Sequence, residues 1–345
     1  MTRNQKMPGE VTIFDVAREA GVSYATVSRV INNKEHVKPD KREAVLRAMT
    51  RLGYVVNQQA RSLAGGRSRV IGLLVHGFES AYTGEIVRGI DLELEAAQYD
   101  LMLYTTHRRR AKESAYVTAI TRGMADGLLL MLPRNPEAYL QSLQRQRFPY
   151  VLIDHQGVGE GGAAVGATNW RGGYDATRYL IELGHRRIGF VTGTMDIGCS
   201  VDRLAGYHAA LGEAGIAADP ALVYTGDFLR QSGFAGGRAL LSLPDGPTAI
   251  FASNDEMAFG VIDAARDRGL RIPDDLSVVG FDDIPQAASI YPALTTVRQP
   301  LEQMGRVATQ MLLRLIDKGA AERAELDTEL IIRNSCQHPR EPAGR

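Results

Sequence analysis

The sequence predicts an all-α head of three short helices followed by an α/β body built as two doubly wound subdomains. Three observations predict it. Near the N-terminus, apolar residues recur at helical spacing and a glycine-containing turn separates the first two segments. From Val70 onward, short apolar runs alternate with amphipathic stretches, as in a parallel sheet covered on both faces. Such units outnumber what one open sheet of usual size holds, so the body divides in two.

The first helix is expected over Ile13–Ala20, with Ile13, Val16, Ala17 and Ala20 on one face and Thr12 capping it through a box with Asp15. Gly21 ends it and Ser23 caps a second helix, Tyr24–Asn32, which buries Val27, Val30 and Ile31. Pro39 opens a third that runs to Leu52, buries Val45, Ala48, Met49 and Leu52, and stops at Gly53. Lys38 occupies its cap position, where Ser or Thr would stabilise it better. Asn57–Gly66 favours a helix too short to be stable alone, and reads as a linker.

In the body, VIGLLV (70–75), LMLY (101–104), GLLLML (127–132), YVLID (150–154), IGFVTG (188–193), AIFASND (249–255) and SVVGFDD (277–283) each read as a buried parallel strand. Helices are expected over Gly84–Gln98, Trp170–Leu183, Arg203–Ala214 and Glu256–Arg268. A closed (β/α) barrel is the structural rival. Strand ends rich in Asp, Asn and Gly favour an open sheet, whose ligands bind at the carboxyl ends. The run GVGEGGAAVG (157–166) lacks the Lys-Ser/Thr of a phosphate loop and reads as a flexible connection.

Charge is asymmetric along the chain. Residues 1–67 carry twelve Lys/Arg against six Asp/Glu, a net +6, and the remainder carries −6. A basic head on an acidic body points to a polyanion partner for the head alone. Cys199 and Cys336 are the only cysteines and lack metal-ligand spacing. With no apolar run of membrane length and no apolar secretory core in the first ten residues, a cytoplasmic protein with no membrane partner is expected.

The second helix turns Tyr24, Ala25, Ser28, Arg29 and Asn32 away from its apolar side. Arg29 can fork onto guanine in the major groove, while Tyr24, Ser28 and Asn32 can reach bases or phosphates. The same residues would equally decorate an ordinary surface helix. The segments TIFDVAREAGVSYATVSRVINN (12–33), GYVVNQQARSLAGG (53–66), LGHRRIGFVTG (183–193), RLAGY (203–207), TAIFASNDEMAFG (248–260), SVVGFDDIP (277–285) and PALTTVRQP (292–300) resemble, in order, the LacI/GalR family of transcriptional regulators.

The resemblance implies a head over residues 1–56, a hinge over 57–67 and a ligand-binding, dimerising body over 68–345. The body would have the type I periplasmic-binding-protein-like fold, one subdomain spanning about 68–167 and 300–327, the other about 168–299 and 328–338. Tyr24, Ala25 and Arg29 match the base-reading positions; Thr12, Ser23, Thr26, Asn32 and His36 match phosphate-backbone positions. Leu63 matches the hinge leucine that wedges into the minor groove, with Ala60 beside it. Ala25 cannot read a polar base edge, so the operator sequence is this chain's own.

The family's ligand positions fall on Asp154, Arg203, Phe228, Asn254 and Asp282, with Tyr82 on the opposite wall. Acids, an amide and a guanidinium suit vicinal hydroxyls, and an aromatic ring suits a sugar's C–H face. Plainer roles exist: Asp154, Asn254 and Asp282 as helix caps, Arg203 in a surface ion pair, Phe228 in the core. His155 and Trp170 carry no assigned role, and Arg108–Arg110 reads as a solvated helix start.

The function expected is a sequence-specific repressor of a carbohydrate-utilisation operon, released from a palindromic double-stranded operator by a sugar. A corepressor-dependent regulator answering to a purine, a sugar phosphate or a protein is the alternative. A transport protein is disfavoured by the head. An enzyme is disfavoured because no nucleophile, metal cluster or phosphate loop accompanies the carboxylates, and no cofactor is expected. Palindromic operators mirror two-fold proteins, so a homodimer is expected, and the QHPREPAGR end has no heptads for a tetramerising coil.

Overall fold

The computed structural model describes residues 11–31, 37–54, 67–78, 80–107, 109–133, 137–154, 162–319 and 322–340. The expectations on Asn32, His36, Ala60, Leu63, Arg108 and His155 lie outside these residues. The chain forms two compact units, residues 1–68 and 69–345.

In the head, α1 (Ile13–Glu19), α2 (Tyr24–Ile31) and α3 (Pro39–Leu52) surround a core of Val16, Ala17, Val27, Val30, Val45 and Ala48. Ile13, Ala20, Ile31, Met49 and Leu52 pack half-buried around it rather than within it, because three short helices cannot enclose more. The capping box is formed: Asp15 N–H donates to Thr12 Oγ1 at 3.4 Å and Thr12 N–H donates to Asp15 Oδ2 at 3.0 Å. Lys38 caps α3 with no side-chain bond, so Pro39 and the left-handed Gly53 alone set its ends.

The body contains two six-stranded sheets. The first uses β1 (Val70–Val75), β2 (Asp100–Thr105), β3 (Gly127–Met131), β4 (Tyr150–Ile153), β5 (Ala163–Ala167) and β11 (Arg323–Leu326), in the order β11-β5-β4-β3-β1-β2. The second uses β6 (Ile188–Thr192), β7 (Val223–Thr225), β8 (Ala249–Ala252), β9 (Ser277–Asp282), β10 (Thr295–Arg298) and β12 (Glu329–Ile331), in the order β12-β10-β9-β8-β6-β7. All pairs are parallel except β10 with β12. The open sheets exclude the barrel.

Around the first sheet lie α4 (Ala81–Ala97), α5 (Arg110–Thr121), α6 (Glu137–Arg145) and α12 (Leu301–Lys318). Around the second lie α7 (Asn169–Glu182), α8 (Gly198–Glu213), α9 (Arg230–Leu240), α10 (Asp255–Asp267) and the short α11 (Pro285–Ser289). The chain crosses between sheets after β5, after β10 and between β11 and β12. The first and third crossings are tied together, Thr328 N–H donating to Thr168 Oγ1 at 2.9 Å.

Three sequence expectations need correction. Ala163–Ala167 overlaps the end of the run read as a flexible connection, yet it is a buried inner strand. Its Ala and Gly residues have weak strand propensity, and pairing on both sides with β4 and β11 supplies what propensity lacks. LMLY belongs to an edge strand that is half-buried, since only β1 pairs with it. The helix expected from Arg203 begins at Gly198, which places Cys199, Ser200 and Arg203 on one helix facing the interior.

Candidate functional site

The carboxyl ends of β1, β3, β4, β8 and β9, with α8 and the turn after β7, converge on a cavity of about 80 Å3. Tyr82, Asp154, Arg203, Phe228, Asn254 and Asp282, six residues drawn from across the chain, all line it. Parallel strands send their carboxyl ends the same way, which brings such distant residues together.

Arg203 is 2% exposed. Its Nε donates to Asn169 Oδ1 at 2.8 Å, its Nη1 to the Ser253 carbonyl at 2.5 Å, and Nη1 stands 3.8 Å from Asp282 Oδ1. The guanidinium also lies over the Phe281 ring, 3.6 Å from its centroid. A surface ion pair is therefore ruled out for Arg203. Asp154 accepts from Tyr82 Oη at 2.7 Å and from Asn169 Nδ2 at 3.3 Å. Asp282 accepts from Gln299 Nε2 at 2.8 Å.

Among the described residues, Asp154 and Asp282 cap no helix. Both sit at strand ends with left-handed backbones, φ +53° and +109°, as do Phe228 at +68° and Leu132 at +47°. Side chains pay about 1–3 kcal/mol for such conformations, and clusters of them mark binding sites. Asn254 fills both expected roles: its Oδ1 caps α10 through Met257 N–H at 3.0 Å, and its Nδ2 donates to the Phe228 carbonyl at 3.1 Å while it lines the cavity. Phe228 packs on the core with its ring tip against Gly193, where any Cβ would fall 2.0 Å from Phe228 Cζ.

Burial pushes the Asp282 carboxyl up to about 7, Arg203 and Gln299 opposing this and Asp154 adding to it. Burial, followed by the Asp154 and Asp282 charges, holds the Tyr82 phenol well above its ordinary range. The Cys199 thiol is likewise pushed up by burial. Among the described residues no group of three or more His, Cys, Asp or Glu could hold a metal ion.

Sequence reasoning missed His76, Gly77, Ser80, Thr83, Met131, Leu132, Ile197 and Cys199 on the cavity wall, and Asn169, Ser253 and Gln299 behind it. Position after a strand could have found His76 and Asn169. Ile197 and Cys199 lay hidden because α8 starts earlier than its polar pattern suggests.

The head presents a second surface. Tyr24, Ala25 and Arg29 are exposed on α2, with Ser23 exposed before it and Thr12, Thr26 and Ser28 half-buried. The Tyr24 ring stacks on Phe14 at 5.1 Å between centroids. Arg109 caps α5 without a side-chain bond. Trp170 is exposed and stacks on Tyr174.

Residues 12–57 match the model of the lacI family of bacterial regulatory proteins, and residues 177–336 match the periplasmic binding protein-like domain. The HTH-type transcriptional repressor PurR of Erwinia tasmaniensis is 39% identical over 92% of this chain and 93% of its own. The chain belongs to the LacI family. The PurR repressor of Escherichia coli O139:H28 is 38% identical over 94% of this chain and 96% of its own. A lac repressor dimer bound to operator and the anti-inducer ONPF superposes on this LacI-family chain with a TM-score of 0.83 at 28% identity, covering 95% and 99%. The transcriptional regulator CelR in complex with cellobiose superposes at 0.74 with 36% identity, covering 94% and 100%. The chain is thus a DNA-binding transcriptional repressor of the LacI family, and no described helix is long and apolar enough to cross a membrane.

Proposed function

We propose that this repressor controls a carbohydrate-utilisation operon from the cytoplasm, as a homodimer released from its operator by an uncharged sugar bound in the cavity. The observation that carries the reading is the buried set of Asp154, Asp282, Arg203 and Asn254 beside the Phe228 ring. Carboxylates accept from ring hydroxyls, the guanidinium and amide donate to them, and the aromatic ring meets the C–H face. A phosphorylated sugar fits less well. Arg203 is already balanced by Asp282 at 3.8 Å, and Asp154 adds a second negative wall. The related regulator solved with cellobiose supports a sugar.

A purine corepressor is the second reading, because two aromatic residues, Tyr82 and Phe228, line the cavity. The Tyr82 hydroxyl is committed to Asp154, which favours hydroxyl recognition over ring stacking. The test is a thermal-shift screen of neutral mono- and disaccharides, sugar phosphates and purines. A ligand at a hundred times its Kd stabilises by about 2.7 kcal/mol. A shift with neutral sugars, together with weaker operator binding in their presence, bears the proposal out. Shifts with purines or sugar phosphates alone would overturn it in favour of corepression.

A further inference from the structure

Asp255 does not line the cavity, yet it is fully buried against Gly280, two residues before Asp282 on β9. It begins α10, one residue after the cap Asn254. Its Oδ2 accepts from Ile284 N–H at 2.9 Å and its Oδ1 accepts from the Thr296 hydroxyl. Thr296 is the partner of Gly280 across the parallel β9–β10 pair. The carboxylate occupies the space over Gly280, where an added Cβ would fall 2.2 Å from Asp255 Oδ1. Asp282 lies two residues further along β9, at its carboxyl end.

Asp255 therefore packs against β9 at Gly280 and ties the residue that follows a strained turn, Ile284, to Thr296 of β10. Asp282 and Asp283 each have positive φ, at +109° and +56°, and the next residue is Ile284, whose amide Asp255 holds. That turn decides where the Asp282 carboxyl points, and so whether it meets Arg203 and Gln299.

We propose that Asp255 is a positioning residue for effector recognition, clamping the turn after β9 so that Asp282 faces Arg203 and the cavity. This rests on reading the cavity as the effector site, but the clamp itself acts in the ligand-free protein. The charged and titratable groups around the pair are Arg203 and Cys199 from α8, Tyr82 from α4, Asp154 from the end of β4, Glu256 beside Asp255, and Asp283, which Arg298 and Arg333 already engage. Burial, with Asp282 next, favours the neutral form of Asp255, whose hydroxyl can donate to Thr296 as readily as it accepts. An amide at this position should thus serve nearly as well.

The experiment is a pH titration of the full chain labelled with 13C at aspartate carboxyls, the Asp282 signal being assigned with Asp282→Asn. In Asp255→Asn the Asp282 midpoint should stay within a few tenths of a pH unit of the wild type. In Asp255→Ala it should rise by a unit or more as the carboxyl leaves Arg203. Thr296→Val, which loses one of the two clamping bonds and keeps the core shape, should move it the same way by less. An unmoved Asp282 midpoint in the Ala and Val variants would overturn the proposal, whatever their melting temperatures; so would an equal displacement in Asp255→Asn. The same proteins titrated with the panel of neutral sugars should show a loss of tenfold or more for Asp255→Ala and a near-normal response for Asp255→Asn. If no sugar binds the wild type, the effector reading fails while the carboxyl titration still decides the clamp.

Discussion

Arg203 and Asp154 never touch; Asn169 joins them, accepting from the guanidinium Nε at 2.8 Å and donating to the carboxylate at 3.3 Å. Asn169 stands where the chain first crosses from one sheet to the other, so the bond chain links an acid of the first sheet to a base of the second. Removing Arg203 would leave Asp282 without its cation and Asn169 without its donor. Buried pairs broken from one side lose about 3–5 kcal/mol. Arg203→Ala should therefore lose that much in urea unfolding and all response to the effector. Arg203→Lys should recover part of the stability but not the response, since an ammonium lacks the planar fork whose separate Nε and Nη1 reach Asn169 and the Ser253 carbonyl.

Asp282 gives the fold a pH dependence of definite sign. Its folded value is raised from 3.8 to about 7, so the native state holds a proton that the unfolded chain has released. Stability must fall as pH rises through that window, by up to about 1.4 kcal/mol per pH unit. Asp255, raised for the same reason, acts in the same sense. Asp282→Asn should flatten the slope of unfolding free energy between pH 4 and 7 without abolishing it; an unchanged slope would show that Asp282 titrates normally.

Much of this was legible in the residues because the buried strands are apolar runs and their ends carry the polar groups. VIGLLV, GLLLML and SVVGFDD mark β1, β3 and β9 by hydrophobicity alone. Ala163–Ala167 and Arg323–Leu326 are not legible in this way. The first is too small in side chains, and the second alternates exposed and half-buried positions at a sheet edge. The same limit applies at the site. Asp154 and Asp282 announce themselves as acids at strand ends, whereas Asn169, Gln299 and Asp255 act through contacts that only the packing creates.

Gly193 and Phe228 occupy one space. Gly193→Ala must displace the ring, because the new Cβ would fall 2.0 Å from Cζ. Overpacking of this kind costs about 1–3 kcal/mol. Phe228→Leu in the same background should return part of that stability, with a coupling of about 0.5–3 kcal/mol measured by a double-mutant cycle. Both variants should bind the effector more weakly than the wild type, since the wall formed by the ring is altered in each.

Lys38 leaves the N-terminus of α3 without a side-chain acceptor. Lys38→Asp supplies one and places a negative charge at the positive end of the helix dipole. The head should gain about 0.5–2 kcal/mol, read as later loss of helical signal on heating, and the cavity-dependent thermal shift should not change.

On α2, Arg29 and Ala25 are exposed on the face that carries Tyr24, whose ring is braced by Phe14. If Arg29 forks onto a guanine, Arg29→Ala should relax preference at one operator position by about 1–3 kcal/mol. Binding to other positions should fall uniformly. Ala25 has only a methyl to offer, which can pack on thymine, so Ala25→Gln should bring a preference for adenine at the neighbouring position. Selection from random duplexes with the wild type and both variants distinguishes these outcomes. A uniform loss in Arg29→Ala with an unchanged sequence preference would mean that Arg29 holds phosphate, and that Tyr24 and its neighbours read the bases without it.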